Sequence, residues 1–455
     1  MKKMVKGELT AFLSLVFILL ISMTGAVLES ASIQIMKNEK RADATRAAES
    51  VFAEYQRDLL NEYDVFALDE SYESEYVSEA SILNRMSFYG AENMEKEITD
   101  IRFMTDDNGK AFYDQAILFE KEKTKASVVE ELIGKSSVWK EQENQAEQYE
   151  KEDTETSFEL ESMLQEEDQE LPQEGNPLSS ISNLKAGGVL ELVLPEEFQL
   201  SGRGWNLSEL VSGRELQRGH GNFKEKSTEA GDAIFFNLYL MDRFHHAISE
   251  EHNQAVQYEL EYLIGGKSSD AENLEEVVKK LCNIRFAVNY TYLLTDAEKQ
   301  AEAEAAAAAI CTLLTVPGIT VIVQQAFLMA WAYGEGIADV KTLLAGKRVP
   351  LVKTAETWQL SWQNLLTLDE TGNIVEGKDT EDGYSYEKYL QVLLMLEKKE
   401  KLTMRALDLV ELNIRAKEGK QWFRADNCVV AARFAIDCGL RRAVHYEFTT
   451  EFQYY

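Results

Sequence analysis

The feature that most constrains this chain is a run without a single charge, from Leu9 to Leu28, preceded by Lys2, Lys3 and Lys6. Twenty residues at the helical rise cover roughly 30 Å, the hydrocarbon thickness of a bilayer. The run is therefore read as a transmembrane helix, with Leu9, Phe12, Leu15, Phe17, Leu20 and Leu28 facing lipid. The three lysines should stay cytoplasmic and the C-terminal bulk should be exported. A cleaved signal peptide is the rival: its apolar core would be Leu9 to Ile21, with Thr24-Gly25-Ala26 as a small-residue cleavage site. The run is longer than a signal core needs, which favours a retained anchor. Ser14, Ser22, Gly25 and Ala26 are small enough to let membrane helices approach closely, so a homo-oligomer through this helix is one expected assembly.

Beyond the run, Ala44, Ala48, Val51, Phe52, Tyr55, Leu59, Tyr63 and Phe66 recur at steps of three and four, the spacing of one apolar helix face. No Pro or Gly interrupts the stretch from Val27 to Phe66, so the membrane helix is expected to continue outward as an amphipathic helix. Composition agrees with an exported, folded body: 45% hydrophobic, 28% charged and a formal net charge of −32. That charge opposes binding to nucleic acid or to anionic lipid headgroups, which attract basic patches.

The segment KGELTAFLSLVFILLISMTGAVLESASIQIMKNEKRADATRAAESVFAEY resembles the N-terminus of TadE/TadG-like proteins of tight-adherence (Tad, Flp-type) pilus machinery, and is most similar to an uncharacterised Gram-positive family of such proteins. YELEYLIGGKSSDAENLEEVV, AWAYGEGIADVKTLLAGKRVPLVKT and EKLTMRALDLVELNIR resemble that family too. The resemblance implies a pilin-like, non-enzymatic component with other Tad-type pilus or secretion proteins as partners, besides membrane lipid. Processed type IV prepilins carry Gly at the cleavage point and Glu at the fifth mature position. Here Gly7 would put Phe12 at that place and Glu8 first, so the pattern implies a minor component that keeps its anchor.

The rest divides by composition. EITDIRFM, residues 97–104, reads as a short strand, and Asp106-Asp107-Asn108-Gly109 as a turn, with helical spacing from Phe112 to Leu132. Residues 141–176 hold 14 acidic residues against one Lys and read as a disordered linker or frayed helix. EEDQELPQEGN lacks the alternating ligands of an EF-hand loop. Helical spacing returns over 229–263, ended by Gly265-Gly266, and over Asn273–Leu294. The apolar stretch 303–334 is broken at Pro317-Gly318, and each half is too short to span a bilayer. Two buried helices are expected there. At the C-terminus Val430, Ala432, Phe434 and Ile436, then Val444, Tyr446, Phe448, Phe452 and Tyr454, alternate as in a β-hairpin with one buried face.

The expected architecture is α+β and mainly α: a transmembrane helix continuing into an amphipathic helix packed on a small antiparallel sheet, with a large helical domain inserted. Its parts are a basic tail (1–8), the membrane helix (9–28), a pilin-like helix with a strand and helices (29–140), the acidic linker (141–178), the helical domain (179–425) and the hairpin (426–455).

Patterns for chemistry are weak. Gly134-Lys135-Ser136 and Gly266-Lys267-Ser268 lack the upstream glycine of a phosphate loop, Val129 and Glu261 standing there. His246 and Glu250 would share a helix face with His252 nearby, but no metal pattern such as HExxH supports a site. Cys428 and Cys438 could form a disulfide in an oxidising compartment. SGRGWNLSELVSGRELQRGHG, with Arg203, Arg214 and Arg218, reads as an exposed basic loop. No catalytic, cofactor-binding or metal residue is assigned. The alternative reading is an extracytoplasmic enzyme, tethered or secreted, whose site is assembled from scattered carboxylates.

Overall fold

The computed structural model describes residues 4–124, 126–172, 175–224, 227, 229, 231–368, 376–441 and 444–454. Along the chain run α1 (Met4–Phe52), α2 (Arg57–Tyr63), β1 (Leu68–Asp69), α3 (Glu79–Met86), β2 (Glu95–Phe103), α4 (Asp106–Lys123), α5 (Ala126–Glu166), α6 (Pro177–Gly187) and α7 (Leu190–Val193). There follow α8 (Asp232–Arg243), α9 (Glu259–Gly265), α10 (Asp270–Leu293), α11 (Ala297–Leu313), α12 (Thr320–Leu344), α13 (Trp362–Leu366), α14 (Tyr386–Leu396), α15 (Lys399–Arg415), β3 (Cys428–Gly439) and β4 (His445–Gln453). The fold is mainly helical with one small antiparallel sheet, as the sequence pattern implied. Two compact units emerge: Met1–Gln115 with Glu215–Lys226 and Lys417–Tyr455, and Ala116–Arg214 with Ser227–Ala416.

In the first unit β3 is the spine of the sheet. β2 lies along one side, from Glu95↔Asp437 to Phe103↔Val429, and β4 along the other, from Ala431↔Gln453 to Gly439↔His445. β1 pairs with the start of β3. One face carries Ile98, Phe434, Ile436, Phe448 and Phe452; the other carries Glu95, Glu97, Arg433, Asp437, Glu447 and Glu451. The C-terminal half of α1 covers the apolar face. Ala44, Ala47, Ala48, Val51 and Phe52 are buried. Thr45 Oγ1 lies 3.1 Å from Thr450 Oγ1, the Phe52 ring stacks on Phe452 at 4.4 Å, and the Tyr454 hydroxyl donates to the Phe52 carbonyl. A sheet exposes one apolar face that another element must cover, and here the long helix does so.

Two local expectations need correction. The helix does not run through to Phe66: α1 stops at Phe52, and Gln56 caps α2 by accepting from Asp58 N at 2.9 Å. The hairpin alternation holds in β4 and the far end of β3, but Cys428–Ala432 are buried on both faces. In this unit Asp107, Asn108 and Gly109 all have positive φ and interrupt the start of α4, giving the expected turn there.

In the second unit α10 and α12 form the centre. α12 is buried almost throughout from Ala326 to Leu344. Gly336 makes the close approach possible: a Cβ there would meet the Cys282 carbonyl oxygen at 3.3 Å and Phe286 N at 3.4 Å. α11 and α12 fold back on each other across Pro317–Ile319, the interrupted pair of buried helices the sequence suggests. Of the two expectations for the acidic stretch, a disordered linker or a frayed helix, the helix is the one found up to Glu166. Residues 141–166 belong to α5, a 41-residue helix. Trp139, Ala146, Leu160 and Leu164 are buried along it, and Tyr149 meets Tyr290 with ring centroids 5.0 Å apart. Acidic residues fill the outward positions and leave that stripe intact. The single helix expected over 229–263 is instead α8 and α9, separated by residues 244–258.

Candidate functional site

The strongest functional feature is the first half of α1. From Leu9 to Leu28 every residue but Val16 is exposed, Leu28 to 71%. Among the described residues this is the one helix long and apolar enough to cross a membrane, a test that a signal sequence near an N-terminus also passes. Leu9, Phe12, Leu15, Phe17 and Leu20 stand fully out from the fold. Two of its hydroxyls bond within the helix: Ser14 donates to the Ala11 carbonyl at 2.8 Å and Thr24 to the Leu20 and Ile21 carbonyls. Ser14, Ser22, Gly25 and Ala26 fall within about a third of the helix circumference. A Cβ on Gly25 would meet nothing. Lys2 and Lys3 lie outside the described residues, and Lys6 opens α1.

The second feature is a set of buried carboxylates. Glu259 and Glu261 start α9, Asp270 starts α10, and Asp408 and Glu411 lie on α15. Each ties irregular backbone to a helix. Glu259 accepts from His245 N at 2.9 Å and Asn413 Nδ2 at 2.6 Å. Glu261 accepts from Ala247 N at 2.9 Å and the Tyr386 hydroxyl at 2.7 Å. Asp270 accepts from Ser201 Oγ at 2.6 Å and Tyr258 N at 3.1 Å. Asp408 takes Ser212 N, Ser212 Oγ and the Tyr262 hydroxyl, at 2.8, 2.6 and 2.7 Å. Glu411 receives both terminal nitrogens of Arg214 at 2.7 Å. Burial pushes the acids of Glu261 and Asp408 up to about 7 and about 6, because a desolvated carboxylate resists charge.

A third group lies between α10 and α12. Lys353 Nζ is 2.5 Å from Glu335 Oε1 and 2.6 Å from Asp339 Oδ1, and Arg285 Nε is 2.9 Å from Asp339 Oδ2. All four side chains are fully buried. Arg285 also donates to the Tyr389 hydroxyl and the Pro350 carbonyl, both at 3.0 Å. Two positive and two negative charges balance here. Sequence reasoning missed this group, since a lone Lys and Arg some 68 residues apart carry no local signal.

The weaker candidates resolve as scaffolding. His246 and Glu250 are not on one helix, because residues 244–258 form the loop held by Glu259 and Glu261. His245 pairs with Glu259 at 3.1 Å, and burial pushes the His246 imidazole down to about 4. The basic loop is stapled rather than free: Arg214 is clamped to Glu411, and the Arg203 carbonyl accepts from Asp270 N. Gly266 closes α9 in the left-handed region, and Lys267 N donates to Asn273 Oδ1 at 2.7 Å. The other triplet, 134–136, lies within α5. Cys428 and Cys438 are ten residues apart on one strand, which separates them by about 30 Å, and all four cysteines are buried without a disulfide. No group of three or more His, Cys, Asp or Glu able to hold a metal occurs among the described residues. A shallow cleft of about 640 Å³ lies on the polar sheet face, lined by Glu95, Glu97, Asp437 and Glu447 among others; the buried carboxylates do not line it.

The fold thus defines a class: a helix-on-sheet module led by a long apolar helix, with a helical body inserted in its chain. Residues 166–440 match a family of unknown function (DUF5702), and the chain belongs to that family. No curated protein and no solved structure matches it. The stretches 258–278, 330–354 and 400–415 lie inside the matched region, and they supply Glu259, Glu261, Asp270, Glu335, Asp339, Lys353, Asp408 and Glu411.

Proposed function

We propose that this protein is a single-pass, membrane-anchored, non-enzymatic component of a Tad-type pilus or secretion apparatus, with its N-terminus cytoplasmic and its two units outside. The observation that carries the reading is the continuity of α1: one helix is bare and apolar to Leu28 and forms the core of the sheet module by Ala44. Cleavage after Ala26 would cut this helix in mid-course, which favours a retained anchor. The buried carboxylates favour the non-enzymatic part. Carboxylates with raised acid constants mark active sites when a substrate can reach them, whereas these are closed in and hold backbone N–H groups and Tyr hydroxyls, Glu261 through Oε1 alone with its Oε2 buried and unpartnered among the described residues.

Two measurements test it. Protease treatment of sealed, right-side-out membrane vesicles should digest the units while leaving a fragment that ends near the outer end of α1. Purification of the full chain from detergent-extracted membranes should bring Tad-type platform or pilus proteins with it. A mature chain that begins beyond Ala26 and stays in the soluble fraction overturns the anchor. An anchored chain that repeatedly purifies without Tad-type partners overturns the assembly role alone.

A further inference from the structure

The charged group between α10 and α12 holds, within reach of one another, an amine, a carboxyl it can attack and a second carboxyl that can carry a proton. Glu335 and Asp339 stand one turn apart on the same face of α12. Lys353 enters from the irregular segment between α12 and α13. Its Nζ is 2.6 Å from Asp339 Oδ1 and 2.5 Å from Glu335 Oε1. That contact with Oδ1 puts the nitrogen about 3–3.5 Å from Asp339 Cγ, the separation of a near-attack pair. The other oxygen, Oδ2, accepts from Arg285 Nε at 2.9 Å and from Asn289 Nδ2 at 3.2 Å. Donors so placed hold the charge that develops on a carbonyl oxygen under attack. The five side chains are buried, so bulk water does not compete for the carbonyl carbon.

We propose that Lys353 and Asp339 join through an intramolecular isopeptide bond, Nζ to Cγ, with Glu335 as the proton carrier. The ammonium passes one proton to Glu335 Oε1, and the freed amine attacks Asp339 Cγ. The Nζ–Cγ bond forms as the carbonyl electron pair moves onto Oδ2, between Arg285 and Asn289. A second proton leaves the nitrogen. It and the proton held by Glu335 go to Oδ1, the Cγ–Oδ1 bond breaks, and water departs. Glu335 returns to a carboxylate, and no oxidant or further reactant is consumed. Burial pushes the Glu335 acid up, which suits a carboxyl that takes and returns a proton. Burial also drives the condensation: two desolvated ions become one neutral amide, and Arg285 and Glu335 still balance each other in charge. Oδ2 stays a carbonyl acceptor for Arg285 and Asn289, so the surrounding hydrogen bonds survive the step. In a chain whose four cysteines form no disulfide, the bond is a covalent tie between α12 and the segment that follows it.

Tryptic mapping of the full chain, extracted in detergent and denatured before digestion, tests this. Residues 300–341 form one tryptic peptide, and residues 349–378 form another when Lys353 is not cut. The expected product is these two peptides joined, lighter than their sum by one water, with no cleavage after Lys353. Asp339→Asn should give a joined product of the same mass, formed by loss of ammonia instead. Glu335→Gln should lower the joined fraction at least about tenfold at a matched time after synthesis. Separate peptides from the unsubstituted chain, with residues 349–353 released by cleavage after Lys353, overturn the inference whatever the variants do, and leave a buried ion pair. A joined fraction that Glu335→Gln leaves unchanged overturns the role given to Glu335.

Discussion

Replacing Lys353 by Met is the sharpest probe of the second unit. The ammonium spends all three of its donors, on Glu335 at 2.5 Å, Asp339 at 2.6 Å and the Thr357 carbonyl at 3.1 Å. With it gone, Arg285 still holds Asp339, so the orphan is Glu335, gripped only by Gln359 N and Leu360 N. Breaking a fully buried pair by removing one partner costs about 3–5 kcal/mol. Burial already pushes the Glu335 acid up even beside Lys353, so in the variant this carboxyl takes a proton. The sign follows: the native variant binds a proton that the unfolded chain releases above about pH 4.3, so its stability falls as pH rises, by about 1.4 kcal/mol per unit until the folded acid is passed. The deficit against the unsubstituted protein is therefore smaller at pH 5 than at pH 8. Urea unfolding in detergent followed by tryptophan fluorescence reads this, since Trp139, Trp205, Trp331, Trp358 and Trp362 lie in the second unit and Trp422 alone in the first. Adding Glu335→Gln restores neutrality and should recover more than half of the loss. A loss under about 1 kcal/mol, or one that is independent of pH and unrescued, refutes the account.

Other tests follow from single contacts. Arg214→Ala strips the bidentate partner from Glu411, whose side chain is 3% exposed; it should cost about 2–4 kcal/mol and speed proteolysis between Arg203 and Arg214 at least about tenfold. Glu261, with its acid near 7 in the fold, contributes stability that is fully present below its unfolded value and is lost as pH rises through 7. That loss amounts to about 3 kcal/mol, and Glu261→Gln should flatten it in urea midpoints taken between pH 5 and pH 8. Phe52→Ala removes a fully buried ring stacked on Phe452; about 3–5 kcal/mol should be lost, seen as faster amide exchange in β4. Leu15→Arg sets a charge at mid-span of the proposed anchor, at a cost of about 2.5–3.5 kcal/mol; resistance to carbonate extraction should drop, and should not drop for Leu15→Ile.

What the sequence makes legible is whatever rests on short-range periodicity. The alternation of Tyr446, Phe448, Phe452 and Tyr454 survives as β4 because only one of its faces meets the core. The first residues of β3, Cys428–Ala432, defeat the same rule, being buried on both faces. The helix spacing from Ala44 to Tyr63 belongs to two helices: Gln56 and the backbone pairing Gln56 N–Ala67 O turn the chain where no Gly or Pro announces it. Residues 141–166 mislead in the opposite direction. Charge counted over the segment suggests disorder, whereas position along the helix decides, and Trp139, Ala146 and Leu160 keep a seven- and fourteen-residue spacing beneath the acidic exterior.

The interior carboxylates explain why the helical body resists reading from local pattern. A backbone segment without regular structure leaves N–H groups that must find acceptors once buried. A carboxylate offers about four acceptor sites on one side chain, so a few Asp and Glu residues can hold a long irregular loop against a helix. Glu259, Glu261 and Asp270 do this for residues 244–258, and Asp408 and Glu411 for the segment through Ser212 and Arg214. Such a carboxylate must be buried to work, and burial raises its acid constant whether or not any chemistry is done there. A raised value at Glu261 or Asp408 therefore follows from the loop-holding role alone, and the acidic residues of the family-matched stretches need no substrate to account for them. The exposed apolar surface lies instead outside these stretches, on the first half of α1, which is wholly beyond the matched residues.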